Sequence, residues 1–431
     1  MVYRKIKIIK CKLHDIVIVI IGIIFLLDYN FFYLMNTGVL SKVNGRYDKI
    51  LVALISVLLY WLIRRYCKGS KYKYIKEFLI FISIFTVWIS SVNILKYPEL
   101  SIYYTLRQSL IWLTFFLSVP LYYVMIKGKL INILRLINII STFWNVIVLI
   151  QGILYASTGT IILKNYFANT NEDLAFRFGY IRIGIGSCGV FMIIYCFYKL
   201  FCEKCHYSNN KFKRIGYILE LILLGFNYIM IQQSRAGIIY VLISLFLMYW
   251  VYNRGSKRWI IRGLIIVIMI YIVSYFNILD RVANSFAVSN RLNGISTKIR
   301  LQEVKYYISI FLNNIITGCL FPGGRYTYLE KGPANLYAFS DIGFIGNMAQ
   351  YGIVAFLLYG VIIGRLLYIL VKAKNKKFNN FEFLIGLFSY VVLSSATLII
   401  TNYGYIVLAT LIVAIFEYAN YCIDLRYSED W

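Results

Sequence analysis

Acidic side chains and histidine are scarce in this sequence: 18 Asp and Glu and two histidines, His14 and His206, among 431 residues. No spacing groups His, Asp and Glu into a ligand set, so neither a resident metal nor another cofactor is expected. Proline is rarer than acid, at four residues, and little interrupts long helices. Of the eight cysteines only Cys319 falls clearly in an external loop on the topology read below, which argues against a disulfide framework. Cys202-Glu-Lys-Cys205-His206 has the spacing of a c-type haem attachment. It belongs to a cytoplasmic loop by charge, the wrong side for that chemistry, and a zinc site there would need two further ligands.

What the chain has in excess is apolar surface, with 61% hydrophobic residues and a mean hydropathy of +0.72. That excludes a soluble protein. Apolar runs of about 17 to 25 residues, the length that crosses about 30 Å of hydrocarbon, begin near Ile16, Ile50, Phe78, Ser109, Leu136, Ile183, Ile215, Ala236, Trp259, Ile342, Phe383 and Tyr403. The expected fold is an all-α polytopic membrane protein of about twelve spans. The net charge of +27 suggests nucleic acid until its placement is considered. Basic residues precede the first span (Arg4 to Lys12) and follow every second one, at Arg64–Lys76, Lys127–Arg135, Lys204–Arg214, Arg254–Arg262 and Lys372–Lys377. Alternate basic loops place both termini in the cytoplasm, and the charge is a topology signal with no nucleic-acid partner implied. The first run has no small-residue cleavage site after it and reads as a retained span.

Four regions follow: a membrane scaffold over 1–155, core spans with an external segment over 156–276, a long external loop over 277–339, and C-terminal spans over 340–431. Asp28, Asn145 and Gln151 in the scaffold read as helix-to-helix hydrogen bonds. No internal repeat is visible, which counts against a transporter built from related halves. In the external segment Ala156–Arg182, Glu172 and Asp173 precede Arg177 and Arg182. The Gly184-to-Gly189 GxGxxG follows no strand, and glycines allowing close helix contact explain it better than a nucleotide. Arg177 and Arg182 read equally as surface charges or as a pair holding a diphosphate. The short connection Gln232–Gly237 sets Arg235 at the bilayer boundary, where an arginine either snorkels or serves a function.

The long loop carries seven Lys and Arg that topology does not explain. Within it, residues 298–316 read as an amphipathic helix. Leu301, Val304, Ile308, Phe311, Leu312 and Ile315 form an apolar stripe bordered by Arg300, Glu303 and Tyr307. Lying on the bilayer, such a helix would hold Arg300 at the lipid boundary.

Ser234-Arg235-Ala236-Gly237 opening a late span, then one more span, then a long external loop with an Arg300-led helix resembles the O-antigen ligase and polymerase family, most closely its Wzy-type oligosaccharide repeat-unit polymerases. Asn313-Asn314-Ile315-Ile316-Thr317-Gly318 is similar to the family's N-P-x-x-G-x-G without the proline. Ser340-Asp341 stands eleven residues ahead of Gly352, with Asp341 where ligases of the family carry histidine. The likeness covers about residues 170–365. It implies a GT-C-like fold and a metal-independent glycosyltransferase. Its substrate would be undecaprenyl-diphosphate-linked oligosaccharide, polymerised at the outer face of the bacterial cytoplasmic membrane into O-antigen, capsule or exopolysaccharide. A flippase and a chain-length regulator would be possible partners.

On that resemblance the outward arginines Arg177, Arg182, Arg235, Arg300 and Arg325 stabilise the diphosphate leaving group, Arg235 and Arg300 foremost. Among the outward carboxylates Glu172, Asp173, Glu303, Glu330 and Asp341, the expected base is Asp341, partly buried beside Gly343 and Gly346, which would admit a ligand. Glu303 has the simpler reading of an i+3 partner for Arg300. Tyr326, Tyr328 and Tyr337 suit sugar stacking or interfacial anchoring. A ligase, a flippase of lipid-linked oligosaccharide and a non-catalytic scaffold remain the alternatives.

Overall fold

The computed structural model describes residues 12–29, 31, 46–163, 176–177, 180–202, 211–252, 294–333, 337–396 and 404–425. Among these the chain is helical apart from one short hairpin. It opens with α1 (Leu13–Asp28), α2 (Arg46–Ile63) and α3 (Lys73–Lys96). A continuous run follows, made of α4 (Ile102–Ser109), a 3-10 stretch (Leu110–Leu117), α5 (Ser118–Val124), a π-helical turn (Met125–Lys129) and α6 (Leu130–Thr158). Gly128, at φ 71°, breaks this run where the sequence places a basic loop between two spans. Only glycine takes that conformation without cost.

The hairpin pairs β1 (Phe176–Arg177) with β2 (Tyr180–Ile181), Phe176 opposite Ile181 and Arg177 opposite Tyr180. Then come α7 (Ser187–Phe201), α8 (Lys211–Phe226) with a π-helical turn over Asn227–Gln232, and α9 (Arg235–Tyr252). After these follow α10 (Gly294–Asn313), α11 (Thr327–Lys331), α12 (Gly343–Tyr351), α13 (Val354–Asn375), α14 (Phe381–Ser394) and α15 (Ile406–Leu425).

Each expected apolar run coincides with a helix, except the one near Trp259, which lies outside the described residues. Five helical stretches are long and apolar enough to cross a membrane: Ser70–Lys96, Ile102–Thr158, Lys211–Gln232, Val354–Asn375 and Ile406–Leu425. Lys49–Ile63, Ser187–Phe201, Ala236–Tyr252 and Phe381–Ser394 are apolar but shorter. Two expected boundaries are corrected. The run placed at Ile342 is two helices, broken at Gly352, so its long helix starts at Val354. The run placed at Ile183 becomes helical only at Ser187, because Arg182 to Gly186 forms no helix and Gly186 takes φ 84°.

Polar groups inside the bundle are paired between helices, as hydrocarbon requires. Lys49 Nζ lies 2.7 Å from Asp28 Oδ1, and Ser187 Oγ donates to Asp28 Oδ2, tying α1 to α2 and α7. Asn227 Nδ2 donates to the Asn145 carbonyl at 2.7 Å, joining α8 to α6. Gln151 accepts from the Ile162 and Leu163 amides and turns the chain back on α6. Arg365 on α13 forks onto Glu417 on α15 at 2.7 and 3.0 Å, with its guanidinium 3.9 Å from the Tyr74 ring centre. Glu417→Ala strands that half-buried guanidinium and is expected to cost about 3–5 kcal/mol of stability. A matching fall in the thermal midpoint of detergent-purified protein is the check.

Candidate functional site

α10 extends over Gly294–Asn313, close to the helix expected over 298–316; the part of the expected long loop at 277–293 lies outside the described residues. Of the expected stripe, Leu301, Ile308, Leu312 and Ile315 are exposed, whereas Val304 and Phe311 are half-buried, Val304 against the protein itself. The face that borders the stripe is buried instead: Glu303 at 1% exposure, Tyr307 at 0% and Ile310 at 6%, one above the other at helical spacing. They pack into a second apolar cluster with Cys319, Phe339, Ile342 and Ala349, apart from the main core.

The partner of that face is the 3-10 turn Phe339–Ile342 and α12. Glu303 Oε1 accepts from the Ala338 amide at 3.2 Å, whereas Oε2 is buried with no partner among the described residues. Burial, with the Asp341 charge adding to it, raises the Glu303 carboxyl from its usual 4.5 to about 7; the Ala338 bond and the Arg300 charge oppose the shift. Arg300 is exposed and close enough to act on Glu303 without closing an ion pair with it. Tyr307 donates its hydroxyl to the Glu330 carbonyl, and Tyr306 to the Tyr328 carbonyl at 2.7 Å, so α11 is stitched onto the same helix.

Three expectations for this region are corrected. Asp341 is exposed, not partly buried. Gly343 and Gly346 do not admit a ligand: a Cβ would stand 2.4 Å from the Ser395 carbonyl at the first and 2.0 Å from the Phe339 carbonyl at the second. These glycines let the chain's own backbone close in. Glu303, read as a simple helix partner, is the buried carboxylate. Its signal was the shared face with Tyr307 and Ile310, a protein-facing stripe distinct from the lipid-facing one.

Past α10 the chain crosses the end of α12. The Cys319 and Leu320 amides donate to the Ala349 and Gln350 carbonyls at 2.8 and 2.7 Å, and the Ile353 amide to Ile315 at 2.7 Å. The end of α3 holds the same stretch. Lys96 Nζ donates to Asn314 Oδ1 and to the Gly318 carbonyl, at 2.9 and 2.6 Å, and Tyr97 to the Cys319 carbonyl at 2.8 Å. Asn314 and Gly318, part of the stretch that carries the resemblance, are thus structural anchors here. Arg325 pairs with Glu99, a carboxylate beyond the expected set, and lies 5.0 Å over the Tyr326 ring, itself 4.9 Å from Tyr97. Arg325 and Tyr326 therefore form their own cluster with α3. Tyr328 is exposed, and the Tyr337 ring fills the space above Gly332.

The second arginine group sits where β2 leads into the bundle. Arg182 is exposed and donates from Nε to the Gln232 carbonyl at 3.1 Å; its charge also reaches Tyr405. Arg235 is the first residue of α9, and the structure describes neither its side chain nor that of Arg177. Glu172 and Asp173 lie outside the described residues.

A chain of contacts joins the two groups. α9 runs antiparallel to α14, because a Cβ on Gly386, early in α14, would meet Met248, late in α9. The start of α9 at Arg235 therefore lies toward the end of α14, where the Ser395 carbonyl accepts from the Phe344 amide. Phe344 follows Asp341 by three residues, and α12 packs on α10. The start of α9, Arg182 and the Asp341–Glu303–Arg300 group are thus connected through the α9–α14 and α12–α10 contacts and the Phe344–Ser395 hydrogen bond between them. No group of His, Cys, Asp and Glu that could hold a metal occurs among the described residues. No family model matches the sequence, and no curated protein matches it.

Proposed function

We propose that this chain is a twelve-span, GT-C-like glycosyltransferase that polymerises undecaprenyl-diphosphate-linked oligosaccharide repeats at the outer face of the bacterial cytoplasmic membrane, with both termini cytoplasmic. The observation that carries the reading is Glu303, buried and half-partnered beneath exposed Asp341 and beside Arg300. A carboxyl raised to about 7 and set near a guanidinium exchanges its proton around neutral pH, which is what a base for a sugar hydroxyl requires. Asp341 stands at the surface where the acceptor hydroxyl would arrive, and Glu303 beneath it takes the proton.

In the reaction the acceptor hydroxyl gives its proton to Glu303 as its oxygen bonds to the anomeric carbon of the donor. The bond from that carbon to the diphosphate breaks, and undecaprenyl diphosphate departs with the electron pair. Guanidinium groups at a low-dielectric boundary stabilise that charge by several kcal/mol, roughly the scale of one well-placed donor. Arg235 and Arg300 are assigned this role, with Arg182 and Arg177 holding the donor. The exposed stripe of α10 lets the helix rest on the leaflet that carries the substrate.

Arg235→Lys tests the assignment. It keeps the charge and loses the fork, so glycan chain length in cells should collapse at normal protein level in the membrane. Chains of unchanged length would remove Arg235 from the site. A flippase is the second reading, favoured by Glu220. This buried carboxylate midway along α8 takes hydrogen bonds from Asn138 and Thr142, at 2.5 and 3.4 Å, and from the Cys196 thiol.

A further inference from the structure

Arg182 to Gly186 is non-helical chain leading into a helical bundle, with Ile181, Ile183 and Ile185 buried. Non-helical backbone in such a place persists only where its polar groups are met by the protein. Three side chains meet them. Trp144 Nε1 donates to the Gly184 carbonyl at 3.0 Å and Asn145 Nδ2 to the Ile185 carbonyl at 3.1 Å. Gln232 Oε1 accepts from the Ile185 amide at 2.9 Å.

Gln232 does more than the other two. Its own carbonyl takes the Arg182 Nε at 3.1 Å, so one residue grips the non-helical segment at both ends. The geometry has a local cause. Asn227–Gln232 is a π-helical turn, whose extra residue reorients the end of α8, and Gln233 follows at φ 54°, a left-handed conformation rare outside glycine. Together they leave the Gln232 carbonyl unused by the helix and turn the chain into Arg235 three residues later. π-helical turns and left-handed non-glycine residues concentrate at functional sites.

We infer that Gln232 is a positioning residue that fixes the Arg182 guanidinium relative to Arg235, so that segments from two different parts of the chain present their arginines to one diphosphate. With Nε committed to Gln232, the two terminal nitrogens of Arg182 make no hydrogen bond to a described residue, and that outer edge is the one that forks onto phosphate. The inference rests on the proposed donor site and adds to it a residue that touches no substrate.

The experiment measures binding of a short-chain prenyl diphosphate to full-length protein in detergent micelles, for wild type, Gln232→Met, Arg182→Gln and the double variant, with thermal midpoints recorded for each. Methionine preserves the length of the side chain and the carbonyl that takes Arg182 but removes the Oε1 that takes the Ile185 amide, so the segment carrying Arg182 loses one of its two holds. Wild type should bind, Gln232→Met should bind about tenfold more weakly with a midpoint lowered by no more than one lost buried hydrogen bond, and the double variant should match Arg182→Gln within about twofold, because Gln232 acts through Arg182. Losses that multiply in the double variant, or a Gln232→Met protein that binds as wild type does, would overturn the positioning role while leaving the donor site standing. If wild type itself fails to bind the probe, the donor site falls and this inference with it.

Discussion

Glu303→Gln should lower repeat polymerisation by about a hundredfold or more, the scale of a lost general base, while the protein remains folded. Glutamine keeps the oxygen that accepts the Ala338 amide and the volume that packs beside Tyr307, so the local structure has no reason to change. What disappears is the proton-binding group. The pH dependence separates this from a packing defect. Wild-type activity should rise with pH through about 7, where the Glu303 carboxyl loses its proton, and Glu303→Gln should lose that limb.

Stability should run the opposite way. The folded carboxyl is raised from 4.5 to about 7, so the native state holds the proton more tightly than the unfolded chain does. Its stabilising contribution is complete below about pH 4.5, declines between the two values and is gone above about 7. Activity and stability thus trade at one residue. A Glu303→Gln protein whose thermal midpoint still falls across that window would assign the fall elsewhere.

Gly318→Ala is expected to destabilise the fold by about 3 kcal/mol or more, from a left-handed backbone plus an unrelievable overlap. Gly318 has φ +64° and an added Cβ would sit 2.4 Å from the Gln350 carbonyl; Gly352, at φ +63°, would meet the Ile315 and Ile316 carbonyls at 2.5 Å. Neither backbone can retreat, since the amides on both sides are bonded across the crossing. Gly352→Ala should behave alike. Gly360 and Gly364 on α13 have nothing within 4 Å, so alanine there should leave the thermal midpoint unchanged or slightly raised. Equal midpoints for the two pairs would contradict the crossing.

Most helices are legible from hydropathy because hydrocarbon-length runs leave few alternatives. The break at Gly352 is not, since the glycine sits in apolar sequence and its conformation depends on the strand that crosses it. The non-helical segment before Ser187 is hidden for the same reason: its hydrogen bonds go to Trp144, Asn145 and Gln232, residues far off in sequence. On α10 the expected stripe divides: Leu301, Ile308 and Leu312 look outward, whereas Val304 packs toward the protein. Periodicity alone does not say that Glu303, Tyr307 and Ile310 meet a turn about thirty residues later. A carboxylate's burial, and hence its chemistry, is decided by that partner. Arg235 and Arg300 are visible as outward arginines, whereas the connection between their helices runs through the α9–α14 contact, the Phe344–Ser395 hydrogen bond and the α12–α10 contact, none of it written in the local sequence.

Turnover of a defined lipid-linked repeat by the purified protein in liposomes tests the central claim most directly. The account predicts a ladder of products that lengthens with time. Passage of the repeat across the bilayer with no new glycosidic bond, or a single transfer to a separate acceptor, would contradict it.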